Sequence, residues 1–358
     1  MGRKNLKMDK NSKILVALSG GVDSSVAAAL LKRAGYSVEG AYMRCWSEGP
    51  YCSADIDQSD AAKVASKLEI PFHVFDFEED YRKNVIDSFY AQYQAGKTPN
   101  PDVVCNQKIK FGLLLNKARG MGFDFIATGH YARVTNGVGY DLLAGVDSDK
   151  DQSYFLYLLG QKQLSQAIFP LGELTKKEVR KLAQKYNLPT AAKPDSTGIC
   201  FIGPTNIRSF LLREIKPRHG DVVSIEGKAL GRHIGLPFYT IGQREGVGIS
   251  AQVPYYVASK NVANNTLIVA PFGHSALFKR KFTTNTPHWV NEEPTFPLHA
   301  QVRLRHRAPL VDAEIVNNKN SLVFNLSNET RAITPGQSAV IYSGEKVLGG
   351  AIVDKVIY

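Results

Sequence analysis

The segment Ser19-Gly20-Gly21-Val22-Asp23-Ser24-Ser25 joins two glycines, three hydroxyls and a carboxylate in seven positions. It follows a short apolar run, Lys13 to Leu18, and opens a helical pattern from Asp23 to Ala34 that ends at Gly35. Glycine lets a ligand approach the backbone closely and adopts dihedrals closed to other residues. A helix N-terminus offers unpaired N–H groups and the positive end of a dipole, and Ser19, Ser24 and Ser25 add hydroxyl donors. The turn therefore predicts an anion cradle sized for phosphate. It is not a Walker A loop, since it holds no lysine, and it lacks the G-x-G-x-x-G dinucleotide fingerprint. A plain Gly-Gly turn capped by Asp23 is the structural alternative; three serines in strand–turn–helix order favour the cradle.

Cysteine supplies the second candidate chemistry. The chain of 358 residues has four, Cys45, Cys52, Cys105 and Cys200, too few for the disulfide framework of a small secreted domain. No C-x-x-C pair occurs, which excludes a zinc ribbon or finger. Cys105 lies in Thr98-Pro-Asn-Pro-Asp-Val-Val-Cys-Asn-Gln-Lys-Ile-Lys-Phe-Gly112, beside an expected helix N-terminus. The dipole there, with Lys108 and Lys110, lowers a thiol pKa. Cys200 stands between Gly198 and Gly203 in a turn-rich segment. A lone cysteine is more often a small buried hydrophobe; two in polar, glycine-rich loops also suit reactive thiols. Cys45 and Cys52 read as ordinary thiols of an exposed loop.

Strand and helix signals alternate through the first half. Strands are expected at 38–43, 72–77 and 124–128, and helices at 55–68, 81–93, 104–121 and 175–188, the last capped by Thr175. This pattern predicts βαβ units: a doubly wound, mostly parallel sheet with helices on both faces. After about residue 205, short β-type runs separated by Gly, Asn and Pro replace it, near 221–225, 255–258, 266–269, 298–305, 311–316, 321–326, 338–342 and 349–356. Two small β-rich domains are expected, giving an organisation of 1–205, 206–273 and 274–358, with the last a barrel.

The formal net charge is +11. Residues 1–200 hold 26 Lys+Arg against 22 Asp+Glu, and residues 201–358 hold 18 against 11, so the shorter part carries the larger excess. It contains Lys279-Arg280-Lys281 and the alternating Arg303, Arg305 and Arg307, which in a strand would share one face. A solvated strand face is the plain reading; in a net-basic domain the arrangement also suits nucleic-acid phosphates. The basic start of the chain is followed by no apolar signal core, and no apolar run nears the ~20 residues of a membrane span, so a soluble, cytoplasmic protein without a membrane partner is expected.

Ser19 to Ser25 resembles the pyrophosphate loop of the ATP pyrophosphatase superfamily, whose members adenylate a substrate with release of pyrophosphate. Together with Asn100-Pro101-Asp102, Cys105-Asn106, Ala127 to Ala132, Asp147 to Ser153, Asp195 to Ile202, Tyr239 to Gln243, Val302 to Arg307 and Pro335-Gly336-Gln337, the chain resembles the tRNA-specific 2-thiouridylase family over nearly its whole length. The resemblance implies an adenine nucleotide alpha-hydrolase-like first domain. It implies ATP, with Mg²⁺, at Ala17, Leu18, Ser19, Gly20, Gly21, Val22, Asp23 and Ser24, with Met43 and Gly129 at the adenosine. Asn100, Pro101 and Asp102 would meet the target uridine, Asp102 as a general base. Cys105 would be the nucleophile and Cys200 the persulfide carrier, the two forming a transient disulfide. His130, Lys150, Asp151, Gln152, Arg305, His306 and Gln337 would contact the anticodon arm of tRNA. A sulfur-donor protein, a cysteine desulfurase or relay protein, is implied as a partner. Two rivals stay open: an amide-forming ATP pyrophosphatase in which the cysteines are incidental, and a non-catalytic tRNA-binding protein.

Overall fold

The computed structural model describes residues 9–47, 54–195, 207–249 and 253–357. Among them the strands form three sheets. The first comprises β1 (Lys13–Ala17), β2 (Ser37–Arg44), β3 (Phe72–Asp76), β4 (Phe125–Ala127) and β7 (Ala167–Ile168), all parallel, in the order β3-β2-β1-β4-β7. Central β1 is apolar on both faces because both are covered. Ile14, Val16 and Leu18 pack against Ala28 and Leu31 of α1 (Val22–Arg33) and Ala61 and Val64 of α2 (Ala54–Lys67). Leu15 and Ala17 face Phe111, Leu114, Leu115 and Ala118 of a helix over 101–120. The expected doubly wound sheet is present, with its order reversing at β1 and β4. A ligand crevice opens at such a switch point, beyond the strands' C-terminal ends.

Two helices depart from the simple pattern. The one over 78–94, α3, is π-helical at Arg82–Ile86, and α4 (101–120) is π-helical over Asn106–Leu114, directly after Cys105. Helix α4 starts at Pro101 with Asn100 as its N-cap, earlier than the expected Val104. Cys105 therefore lies in the second turn, beyond the first turn where the dipole acts, and the expected helix-terminal position of the thiol is corrected. Helix α5 (Lys176–Lys185) begins with the expected Thr175 cap, closed as a capping box with Glu178.

The second sheet contains β8 (Gly220–Ser224), β9 (Ala229–His233), β10 (Tyr255–Asn261) and β11 (Thr266–Pro271), in the order β10-β11-β8-β9. In the third, β12 (Phe278–Thr284), β16 (Ser321–Arg331), β15 (Val311–Asn318), β14 (Leu298–Arg303), β17 (Ser338–Ser343) and β18 (Lys346–Ile357) pair in turn. A β12–β18 pairing closes them into a six-stranded barrel. Short β13 (His288–Trp289) also pairs with β18. The hairpin of β5 (Ala132–Gly137) and β6 (Gly139–Ala144), which lies within the expected first domain, joins this sheet through Leu142 and Leu143 opposite Val347 and Lys346. A division at residue 205 thus cuts across the hydrogen-bonded sheet. The arginine alternation is corrected too: β14 ends at Arg303, and Arg307 turns to φ +63°, so the three side chains do not share a strand face.

Candidate active site

The glycine-rich turn connects β1 to α1 and is tied together locally. The Ser19 N–H donates to Ser24 Oγ at 3.1 Å, and the Ser25 hydroxyl donates to the Gly21 carbonyl at 2.7 Å. Gly21 caps α1 without a side-chain bond, so the first-turn N–H groups face outward for a ligand. Gly20 has φ +74°, and a Cβ there would lie 2.2 Å from the Asp57 carbonyl oxygen. A Cβ on Gly129, just beyond β4, would lie 2.7 Å from the Ser24 nitrogen. Both glycines permit contacts that any side chain would block.

This turn forms one wall of a cavity of about 210 Å³ lined also by Asp57, Tyr131, Lys150, Lys193, Asp195 and Arg307. Its charges are interlocked. Lys176 Nζ lies 2.7 Å from Asp23 Oδ1 and 2.9 Å from Asp195 Oδ1, joining the glycine turn to the segment that leads toward Cys200. Lys150 donates to Asp195 at 2.7 Å, and Arg180 is a further partner of that carboxylate. Burial opposes the ionised form, but these cations outweigh it and hold the Asp195 carboxyl far below the usual carboxylate range. Lys193 bonds both Asp57 and Asp60 at 2.7 Å; burial resists its charge, yet the two carboxylates raise its pKa. The Tyr131 hydroxyl donates to Asp23 at 2.8 Å, and burial together with that carboxylate pushes its pKa up.

Sequence reasoning missed Lys176, Arg180 and Tyr131. A signal existed for the first: a lysine in the opening turn of a helix opposes the dipole and implies an acidic partner elsewhere.

The residues around Cys105 form a second group. Cys105 is 6% exposed, in an apolar cluster with Tyr81, Phe89, Ile109 and Phe210. Half-buried Met43 touches both this cluster and the core under β1. Cys45 packs on the same cluster rather than standing in an exposed loop, whereas Cys52 lies outside the described residues, as do Cys200 and the expected 196–202 segment. The Asn100 side chain accepts the Asp102 N–H at 3.2 Å. Burial raises the Asp102 pKa against the pull of Lys110, making this carboxyl readier to hold a proton. Lys110 also acts on His130, whose imidazole burial already keeps well below its ordinary pKa, so it is neutral near pH 7. The two groups meet at Phe155: the Asn106 side-chain amide, next to Cys105, donates to its carbonyl at 3.2 Å, and its ring lies 4.5 Å from that of His306, a cavity residue.

Residues 12–204 match the family described as tRNA methyl transferase HUP domain. Residues 208–271 match the tRNA methyl transferase PRC-barrel domain, and 279–353 the aminomethyltransferase beta-barrel domain. The chain is 46% identical to tRNA-specific 2-thiouridylase MnmA of Vesicomyosocius okutanii subsp. Calyptogena okutanii, over 98% of this chain and 99% of that protein. It is 45% identical to tRNA-specific 2-thiouridylase MnmA of Salmonella typhimurium, over 96% and 97%. This chain belongs to the tRNA-specific 2-thiouridylase family.

As a 2-thiouridylase family member it carries the residues expected at tRNA, and the structure gives several of them internal partners. Asp151 is 3% exposed: it accepts the Gly145 and Ser153 N–H groups and pairs with Arg303 at 2.7 Å, a correction to its expected surface role. His130 is buried as well, bonded to the Thr128 hydroxyl at 2.7 Å. Gln152 accepts the Tyr131 N–H, and Arg305 donates to Ile241, Ala332 and Thr334, across the seam between the two β domains. Gln337 donates to the Thr98 carbonyl at 2.8 Å. Lys150, His306 and Arg307 line the cavity. No helix among the described residues is long and apolar enough to cross a membrane.

Proposed function

We propose that this chain adenylates a tRNA uridine with ATP and replaces its 2-oxygen with sulfur carried by Cys200. It is a tRNA-uridine 2-sulfurtransferase; the wobble uridine is the target we assign, in the cytoplasm. One observation carries the mechanism: a single cavity joins the glycine turn, the cations Lys150, Lys193 and Arg307, and Asp195, which precedes Cys200 in sequence. Phosphate binding is the role we assign to that cavity.

The 2-oxygen of uridine is a poor leaving group. Its attack on the α-phosphorus of ATP forms an O–P bond, breaks the bond to pyrophosphate, and makes AMP the leaving group. The N–H groups of α1 and the Ser19 and Ser24 hydroxyls receive the pyrophosphate. Lys176, Lys193 and Arg307 are within its reach in the same wall or one bond behind it. Mg²⁺ carried on the phosphates would add charge neutralisation. Asn100, Pro101 and Asp102 hold the extruded base, and Asp102, with its raised pKa, takes the ring proton. Lys150 and His306, which line the cavity, would contact tRNA, while buried His130 and Asp151 and the internally bonded Gln152 and Arg305 would shape the surface that meets it.

Sulfur arrives as a Cys200 persulfide from a donor protein. Cys105 thiolate attacks the inner sulfur and forms a Cys105–Cys200 disulfide. The released hydrosulfide then adds to carbon 2 and expels AMP. In the alternative order the persulfide attacks carbon 2 first and Cys105 cleaves the resulting S–S bond; both end in the same disulfide, which a thiol reductant reopens. Cys200→Ser should bind tRNA and release pyrophosphate but yield no 2-thiouridine by nucleoside mass spectrometry. Full thiolation by that variant would remove the persulfide assignment. An amide-forming pyrophosphatase would instead exchange pyrophosphate only with a small acid present.

A further inference from the structure

The turn over residues 95–100 links the helix over 78–94 to α4 and carries the target-base residues at its end. Its sequence, Gly96-Lys97-Thr98-Pro99-Asn100-Pro101, is poor in ways to hold itself. Two prolines lack N–H groups, so neighbouring carbonyls must find donors elsewhere. Those donors come from the two β domains. Lys260 at the end of β10 donates to the Gly96 carbonyl at 3.0 Å. Gln337, before β17, donates its amide to the Thr98 carbonyl at 2.8 Å and the Pro99 carbonyl at 3.3 Å. The Thr98 N–H in turn donates to the Pro335 carbonyl at 2.9 Å.

The packing is as close as the bonding. Gly336 has φ +94°, and a Cβ there would stand 2.8 Å from the Thr98 nitrogen. A Cβ on Gly96, at φ +78°, would come within 3.1 Å of Val262. We propose that Lys260 and Gln337 are positioning residues through which the two β domains fix the 96–100 turn, and with it Asn100 to Asp102, for thiolation. This rests on the assignment of Asn100 to Asp102 to the target base. Lys260 sits in a seam dry enough that burial pushes its amine down to about 8, yet it keeps the Gly96 carbonyl as its partner. Gln337, expected at tRNA, points its amide inward instead. A tRNA held by the β domains thereby acts on the base site through the turn.

Three full-chain variants test this: Lys260→Met removes one donor, Gln337→Glu replaces an amide donor by an acceptor, and Gly336→Ala presses on the turn without removing a polar group. Each is measured for single-turnover thiolation at saturating tRNA and ATP, for tRNA affinity by filter binding, and for amide exchange by mass spectrometry. The expected result is a chemical step slowed about tenfold, tRNA affinity within about twofold of the parent, and faster exchange confined to residues 98–106. Lys260→Arg, which keeps a donor, should restore most of the rate. Weakened tRNA affinity with an unchanged saturated rate would make these residues tRNA contacts and overturn the proposal. So would unchanged exchange over 98–106. If one variant fails to fold, the other two carry the test. Should the parent chain itself form no 2-thiouridine, the base-site assignment falls, while the exchange data still decide whether the clamp exists.

Discussion

The glycine turn and the 96–100 turn are both short connections into a helix, yet they are held in opposite ways. The first is stitched by its own residues: Ser19, Gly21, Ser24 and Ser25 bond one another within five positions. The second depends on Lys260, Pro335 and Gln337, each more than 160 residues away in sequence. A self-supporting loop keeps its shape whatever the β domains do, which suits the phosphate cradle proposed for it. A loop held from outside can report whether those domains are in place, which suits the base site proposed for Asn100 to Asp102.

The largest break in that comparison should come from Gly20→Ala. Its Cβ would meet the Asp57 carbonyl, and φ +74° is unfavourable for alanine. Thiolation should fall about a hundredfold, with about 2 kcal/mol lost in stability by denaturant titration. Amide exchange over 98–106 should stay at the parental rate, since nothing in the glycine turn supports that segment.

A smaller effect follows from His306, whose ring lies tilted by 41° against Phe155 between the two regions. Burial, with Arg307 nearby, lowers its pKa to about 4, against about 6.5 when unfolded. The unfolded chain therefore binds the proton more readily, and stability contributed by the neutral ring is intact above about pH 6.5 and lost as pH falls toward 4. The ring is only half-buried, so the loss should be about 1 kcal/mol. His306→Phe should flatten that part of a pH–stability profile; an unchanged slope would assign it to other histidines. Smallest of all is Lys97→Ala. Its ion pair with Asp354 is exposed on both sides, and less than about 0.5 kcal/mol should be lost. Thiolation should change less than about twofold, since the turn keeps its other bonds.

What could be read from sequence follows the same division. The glycine turn, the doubly wound sheet and the Thr175 cap depend on residues a few positions apart, and periodicity and capping rules find such features. The clamp on 96–100 pairs a turn with residues more than 160 positions away, and no local pattern encodes it. Arg303, Arg305 and Arg307 show how a local rule fails: their alternation implies one strand face, but the chain leaves β14 after Arg303. Arg303 then pairs with buried Asp151, Arg305 ties the β domains together, and Arg307 reaches the cavity. Cys105 differs from expectation because Pro101 starts its helix a turn earlier than apolar spacing alone suggests.

The hairpin of β5 and β6 bears on how the protein is made. It is synthesised before residue 145, but its partner in the barrel sheet is β18, whose pairing residues are Lys346 and Val347. During translation the hairpin must wait, edge exposed, for almost the whole remaining chain to leave the ribosome. The strand that relieves it also closes the barrel against β12. A premature stop a few codons before β18 would therefore strand an unpaired edge on the β5–β6 hairpin as well as an open barrel, and such a fragment should aggregate rather than persist as a folded first half.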